Sequence, residues 1–191
     1  AAVSLDGNRL AVGAELGDGL ANSLGNVGEV YLFTFSDSVF SNALLQSRIG
    51  YSYVGAKDLD LSSELSADDR LGVSVSLDGD RLAIGAVHDD GLNLGAADYG
   101  AVYLVSFSDQ LFSNPTLEAV IGSGKTGGNN LDIAATLDAD AAVHREATVV
   151  VGADQLSRYR PFPGDAVFGG VGLFLDAFRA PKMPVIGHQR Q

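Results

Sequence analysis

The sequence predicts an all-β fold built from four-stranded antiparallel sheets that repeat with a 72-residue period. Three observations carry that prediction. Shifting the chain by 72 positions lays residues 3–50 on residues 75–122 without a gap, with 26 of 48 positions identical, and self-similarity at a fixed interval is the signature of a repeat architecture. Val73–Ala86, V-S-V-S-L-D-G-D-R-L-A-I-G-A, alternates apolar and polar residues around an Asp-Gly pair, which is hairpin chemistry. Gly28–Phe35 and Gly100–Phe107 are almost continuously apolar, as suits strands covered on both faces.

The elements of each unit follow in order. Val3–Ala14, V-S-L-D-G-N-R-L-A-V-G-A, and its later copy within Val73–Ala86 each supply two strands. In the later copy Asp78-Gly79 provides the positive φ angles of a two-residue type I′ turn, which sets Val75 opposite Leu82 and Val73 opposite Ile84. Those four and Leu77 then share one face, and Ser74 and Ser76 take the other. The third strand is G-E-V-Y-L-F-T-F in one copy and G-A-V-Y-L-V-S-F in the other. The fourth is Ala43–Ile49, matched by Pro115–Ile121. Between third and fourth, F-S-D-S-V-F-S-N recurs as F-S-D-Q-L-F-S-N. Its Ser-Asp and Ser-Asn pairs mark turns, with Phe40 and Phe112 placed to cap the sheet edge.

Gly55–Asp69 and Gly127–Asp140 connect the units. They are polar and weakly patterned, and read as surface loops with room for a short helical turn. Leu59-Asp60 recurs there as Leu131-Asp132. A third copy starts and decays: Ala147–Ala153 can be laid on Arg81–Ala86, and Gly169–Leu175 on Gly100–Ser106, with no Asp-Gly turn. Prolines interrupt Ser157–Gly164, and Ala177–Gln191 is an aperiodic tail. The expected organisation is therefore a first repeat at 1–72, a second at 73–144, a degenerate partial third at 145–175 and an irregular tail at 176–191.

Composition narrows the function classes. The net charge is −12 over 191 residues, 46% of them hydrophobic, enough apolar surface for a real core. Residues 1–144 carry 20 acidic and 6 basic side chains, and residues 145–191 carry 4 and 6. An acidic body repels phosphate backbones, so nucleic acid is not an expected partner. Absence of cysteine removes disulfides, thiolate metal sites and cysteine nucleophiles. The longest apolar run, Ala166–Leu175, falls far short of the roughly 20 residues a bilayer-spanning helix needs. Ala1-Ala2-Val3 already lies inside a repeat, so the natural start is expected further upstream.

The pattern Leu71-Gly72, then V-S-V-S-L-D-G-D-R-L-A-I-G-A, then G-A-V-Y-L, resembles the FG-GAP repeat of integrin α-chains and of large bacterial surface proteins, the adhesin-like and haemagglutinin-like branch being most similar. Leu71-Gly72 stands in the FG place and Gly85-Ala86 in the GA place. The resemblance implies a β-propeller, here incomplete at about two and a half blades, in an extracellular or cell-surface protein. Copies of the chain or flanking repeats of a longer one are the implied partners, because isolated blades leave apolar faces and sheet edges uncovered. Calcium-binding members carry D-x-D-x-D-G between the first two strands. Leu77-Asp78-Gly79-Asp80 is too short to wrap a cation that wants six to eight oxygens, so that site does not carry over.

Other stretches offer candidate chemistry beyond the resemblance. Ala119–Thr126, A-V-I-G-S-G-K-T, has the lysine and threonine of a phosphate-cradling loop, but Ala119 replaces the first glycine and Gly127-Gly128-Asn129-Asn130 cannot start the required helix. A glycine-rich loop is the better reading. The segments 15–27 and 87–99 gather Asp18, Asn22 and Asn26, and Asp89, Asp90, Asn93 and Asp98, oxygen donors that could hold calcium or simply form turns. His88, His144 and His188 lack the spacing of a metal pair. Tyr31, Tyr103, Phe35 and Phe107 could be drawn as a sugar-stacking stripe, yet they recur in the most apolar strand, which favours core packing. No nucleophile elbow or singled-out carboxylate pair appears.

The expectation is thus a non-enzymatic structural or adhesion module of a secreted or surface protein, acting by self-assembly or partner binding. No catalytic or cofactor-binding residue is assigned, no cofactor is expected with calcium as the one candidate, and no metal ligand is fixed. The alternative is a lectin-like propeller whose loops bind carbohydrate or calcium.

Overall fold

The computed structural model describes residues 1–91 and 98–134, together with three strands further on, Ala147–Val150, Val167–Phe168 and Val171–Leu175. The architecture is all-β, with one short 3-10 turn at Leu20–Asn22 and no α-helix among the described residues. The first sheet orders β1 (Ala2–Asp6), β2 (Arg9–Ala14), β3 (Glu29–Thr34), β4 (Leu44–Gly50) and β5 (Leu59–Asp60). The second orders β6 (Leu71–Asp78), β7 (Arg81–Ala86), β8 (Ala101–Ser106), β9 (Thr116–Gly122) and β10 (Leu131–Asp132) in the same succession. A smaller sheet holds β11 (Ala147–Val150), β12 (Val167–Phe168) and β13 (Val171–Leu175), with β13 central. The expected tail at 176–191 and much of the expected partial repeat at 145–175 lie outside the described residues.

The first two sheets are five-stranded and mixed, not four-stranded and antiparallel. β5 runs parallel to β4, and β10 parallel to β9. The connector read as a surface loop is drawn onto the sheet by its own polar groups. Asp58 accepts from the Arg48 amide at 2.9 Å and from its guanidinium at 2.6 Å, and the Leu61 amide donates to Gly50 at 2.9 Å. The connector then sends Leu61 and Leu65 into the core. A strand of two residues has no period from which it could be read.

The hairpin register also differs from expectation. Asp78 pairs with Arg81, Leu77 with Leu82 and Val75 with Ile84, so Gly79 and Asp80 form the turn. Gly79 has φ +58°, and Asp80 is not among the positive-φ residues. In the first copy Gly7 has φ +56° and precedes Asn8. A positive φ at the first central residue alone belongs to the type II′ turn with glycine leading. The pairing moves by two residues, which leaves Val75, Leu77, Leu82 and Ile84 on their expected shared face. Val73 has no cross-strand partner and does not face Ile84 as expected, because a bulge separates Leu71 from Ser74 around Gly72 at φ +89°.

One core lies between the first two sheets. Ala11, Val30, Leu32 and Ile49 from the first meet Val75, Leu77, Leu82, Ile84, Tyr103 and Val105 from the second. β6 lies across β1, β2 and β3, and β11 runs alongside β6 and β7. The sheets are stitched where the chain passes between them: the Leu71 amide donates to Val27 at 2.9 Å, and Gly28 and Leu71 form a parallel bridge. Burying side chains of this size stabilises by about 1.5–3 kcal/mol each.

The F-S-D-x-x-F-S-N loops fold alike. Asp37 accepts from the amides of Val39 and Ser41, and Asp109 from those of Leu111 and Ser113. Phe40 and Asn42 take positive φ, as do Phe112 and Asn114. Each phenylalanine closes edge-on against the end of the third strand, Phe40 on Phe35 at 5.2 Å and Phe112 on Phe107 at 5.0 Å.

Candidate functional site

The polar groups that the fold gathers most deliberately sit beside the third strand of each sheet. In the first sheet Glu29 opens β3 and is buried. One of its oxygens accepts from Tyr31 at 2.5 Å, and the other accepts from Tyr53. Arg48 stacks over the Tyr53 ring at 4.7 Å. Burial, and then the hydrogen bond to Glu29, pushes both phenols above their ordinary range.

The second sheet assembles the same arrangement from different positions. The residue 72 beyond Glu29 is Ala101, and the residue 72 before Asp89 is Gly17. Tyr103, the counterpart of Tyr31, donates to Asp89. Lys125, the counterpart of Tyr53, places Nζ 3.7 Å from that carboxylate and 3.4 Å from Glu64, over the Tyr103 ring at 5.7 Å. The exchange is reciprocal and steric. A Cβ on Gly17 would lie 2.5 Å from the Glu29 carboxyl carbon, so a side chain at position 17 and the Glu29 carboxylate in its present place compete for the same space. Two separate substitutions in the repeat thus deliver one carboxylate to one tyrosine hydroxyl.

The second cluster holds more charge. Asp69 is buried and its carboxylate accepts from the Ser66 amide at 2.7 Å. Burial raises its pKa to about 7, the Ser66 amide opposes this, the Asp89 and Asp90 carboxylates add to it, and Lys125 opposes it again. Burial and the Asp89 carboxylate push the Tyr103 phenol well above its ordinary value. A buried cluster of this kind needs each member for the others' satisfaction. Asp69, Asp89, Tyr103 and Lys125 are buried and Glu64 is partly exposed, so the cluster pins the β8 face to the connector 61–70.

The candidate residues of the sequence separate here. The Asp18 carboxylate accepts from the Asn26 amide at 2.8 Å, and the Asn26 side chain donates to Asp68 at 2.8 Å. Asp90 accepts from the Asp98 amide at 2.9 Å, the same contact 72 residues on. Asp89 accepts from the Gly91 amide at 2.7 Å. Asn22, Asn26 and Asp98 take positive φ. These are turn-forming roles, and among the described residues no group of three or more His, Asp or Glu side chains is placed to hold a metal ion. His88 lies 3.7 Å from Asp98; Asn93, His144 and His188 lie outside the described residues. Lys125, drawn in the sequence as a phosphate-loop lysine, is 2% exposed and committed to ion pairs, and a turn rather than a helix follows β9. Tyr103 and Phe107 are buried in the core, and Tyr31 and Phe35 are half-buried.

Sequence reasoning passed over Glu29, Tyr53, Asp69 and Arg9. The reciprocal replacement at Gly17/Asp89 and Glu29/Ala101 was the signal available for the first. Arg9 reaches across from the first hairpin to the second. Its guanidinium donates to the Gly79 carbonyl at 2.5 Å and to Asp6, and lies 5.6 Å from the Phe112 ring centroid. Asp6 in turn accepts from the Gly79 amide at 3.0 Å, and Ser4 Oγ accepts from the Leu77 amide at 2.9 Å. A cavity of about 580 Å³ opens beside this clamp, between Asn8, Thr34, Asp78 and Gln110.

Residues 61–105 match the family described as FG-GAP repeat. The matched stretch runs from Leu61 to β8 and so includes the second hairpin, Asp69, Asp89 and Tyr103. No curated protein and no solved structure matches the chain.

Proposed function

We propose that the chain is a non-enzymatic structural or adhesion module whose sheets stack face to face as blades of a propeller-like array, in a secreted or surface-exposed protein. The observation that carries this reading is the Ser4–Asp6–Arg9 clamp on the Leu77–Gly79 hairpin. A contact made by one S-L-D-G-x-R hairpin on the next is a rule for adding further units. The strand ranges support a 72-residue unit, since Arg9–Ala14, Glu29–Thr34, Leu44–Gly50 and Leu59–Asp60 each have a counterpart 72 positions on. The match of residues 61–105 to the FG-GAP repeat supports the propeller-like arrangement and the extracellular setting, and no helix among the described residues is long and apolar enough to cross a membrane. Loops such as 15–27, closed by their own aspartates, then serve as display surface for protein partners.

Light scattering across a concentration series, with a dye that reports exposed apolar surface, tests this reading. The module is expected to associate or to bind the dye. A monomer that binds no dye at any concentration has no face to offer and overturns it.

A further inference from the structure

The two copies of the repeat bury the same face to different extents. In the second sheet Leu77, Leu82, Val105 and Leu117 form one cross-strand row, and Val75, Ile84, Tyr103 and Val120 the next. In the first sheet the corresponding rows are Leu5, Leu10, Phe33 and Leu45, then Val3, Val12, Tyr31 and Arg48. The second set lies under the first sheet. The first set is open at its edges and half-buried at its centre: Val3 is 69% exposed against 9% for Val75 and Leu5 54% against 6% for Leu77, Phe40 at the rim is 49% exposed against 0% for Phe112, and Leu10, Val12, Tyr31 and Phe33 are half-buried. Several large apolar side chains this exposed on one face of a folded sheet mark an interaction surface.

The polar rim says the same. Leu77 and Gly79 receive Ser4, Asp6 and Arg9 from the neighbouring hairpin. Among the described residues no side chain reaches the corresponding backbone of Leu5 and Gly7, although the Gly7 turn has the same positive φ as Gly79. The surface therefore repeats both halves of an interface whose occupant is known from inside the chain. That occupant is flat at its centre, with Ala11 and Gly13 flanked by Val30 and Leu32, and carries a serine, an aspartate and an arginine on its hairpin.

We infer that this face of the first sheet, Val3, Leu5, Leu10, Val12, Phe33 and Phe40, is a docking surface for a further repeat unit joined in tandem, whose S-L-D-G-x-R hairpin seats on Leu5 and Gly7. An unrelated protein would have no cause to place a serine, an aspartate and an arginine at those backbone groups. The inference rests on the stacked-module reading and adds to it the surface, the occupant and the contacts.

The test is a tandem chain in which residues 1–72 are duplicated ahead of the full 191-residue protein, so that the added unit meets the original Leu5 at the natural spacing. Hydrogen exchange at the original Leu5 and Gly7 amides is expected to slow by about tenfold or more, dye binding to fall and the melting temperature to rise. Asp6→Ala with Arg9→Ala in the added unit alone is expected to reverse much of that protection. Unchanged exchange at Leu5 in a folded tandem chain overturns the inference, and leaves the module reading standing if the single-unit chain still associates. Concentration-dependent protection of Leu5 in the original chain, without the added unit, assigns the face to a second copy instead and also overturns it. Should the tandem chain not fold, Leu5→Lys and Leu77→Lys in the original chain decide the point. Leu5→Lys is expected to abolish dye binding with the melting temperature kept, while Leu77→Lys unfolds the protein; equal loss of stability from both makes the Leu5 face part of the chain's own core and overturns the inference.

Discussion

Gly13 and Gly72 press backbone to backbone across the two sheets: a Cβ built on Gly13 would lie 2.0 Å from the Gly72 carbonyl oxygen. Gly72 is the glycine of the L-G pair, held at φ +89° inside the bulge. Neither partner is the yielding end of a side chain. Gly13→Ala is therefore expected to destabilise by about 1–3 kcal/mol or more, as overpacking of a closed contact does. A Cβ on its counterpart 72 residues on, Gly85, would lie 2.3 Å from the Ser74 hydroxyl oxygen, a side-chain atom and not backbone. Gly85→Ala should cost visibly less, and chemical denaturation of both variants checks the order.

Arg9 and Arg81 occupy the same place in the repeat and have opposite surroundings. Arg9 is buried against Gly79, Asp6 and Phe112, whereas Arg81 is exposed and 3.4 Å from an exposed Asp78. Arg9→Ala is expected to lose about 1–3 kcal/mol, because the Gly79 carbonyl loses the guanidinium donor and Asp6 loses its ion-pair partner. Arg81→Ala should stay within about 0.5 kcal/mol, as surface changes do. Equal effects in thermal unfolding would show that the clamp contributes nothing.

The exchanged carboxylates predict a rescue. Glu29→Ala removes the acceptor of Tyr31 and Tyr53 and is expected to cost about 1–3 kcal/mol. Gly17→Asp alone forces a side chain into the Glu29 carboxyl and is destabilising too. Together they recreate the arrangement of Asp89 and Ala101, so the double variant should be more stable than Glu29→Ala. Additive losses in the double-mutant cycle would contradict that.

Asp69 sets a pH dependence with a definite sign. Its folded-state pKa, raised from 3.8 to about 7, exceeds the unfolded value. Its contribution to stability is present in full below about pH 4 and is lost as pH rises through about 7. The melting temperature should therefore carry a downward component between pH 4 and 7, and Asp69→Asn, which keeps an acceptor for the Ser66 amide, should flatten it. An unchanged slope in the variant rules the assignment out. Asp37, Asp109 and Asp132 act in the opposite sense, since loop amides hold their carboxyls below 3.8; their contributions are present above that value and fade as pH falls further.

The strands were legible because alternation and near-identity speak for the same pairing twice. Leu77 and Leu82 show it: both the expected and the observed registers put them on one face, since the turn error was an even number of residues. The fifth strand was not legible, because Leu59-Asp60 has no period and is placed by Asp58 acting on Arg48 from ten residues away. The carboxylate site was hidden for a related reason. Comparing copies position by position sees Glu29 against Ala101 and Gly17 against Asp89 as two unrelated differences, and only the Tyr31 and Tyr103 hydroxyls reveal that they compensate.

The F-S-D-x-x-F-S-N loop takes one shape whether or not anything lies on it. Phe40 keeps the left-handed backbone, the aspartate-bound amides and the edge-on ring contact of Phe112, although one ring is half in solvent and the other fully enclosed. The rim of the open face is accordingly set during folding of its own unit. An arriving sheet would meet a finished socket, with little left to order on contact, so encounter and final seating should be nearly the same event.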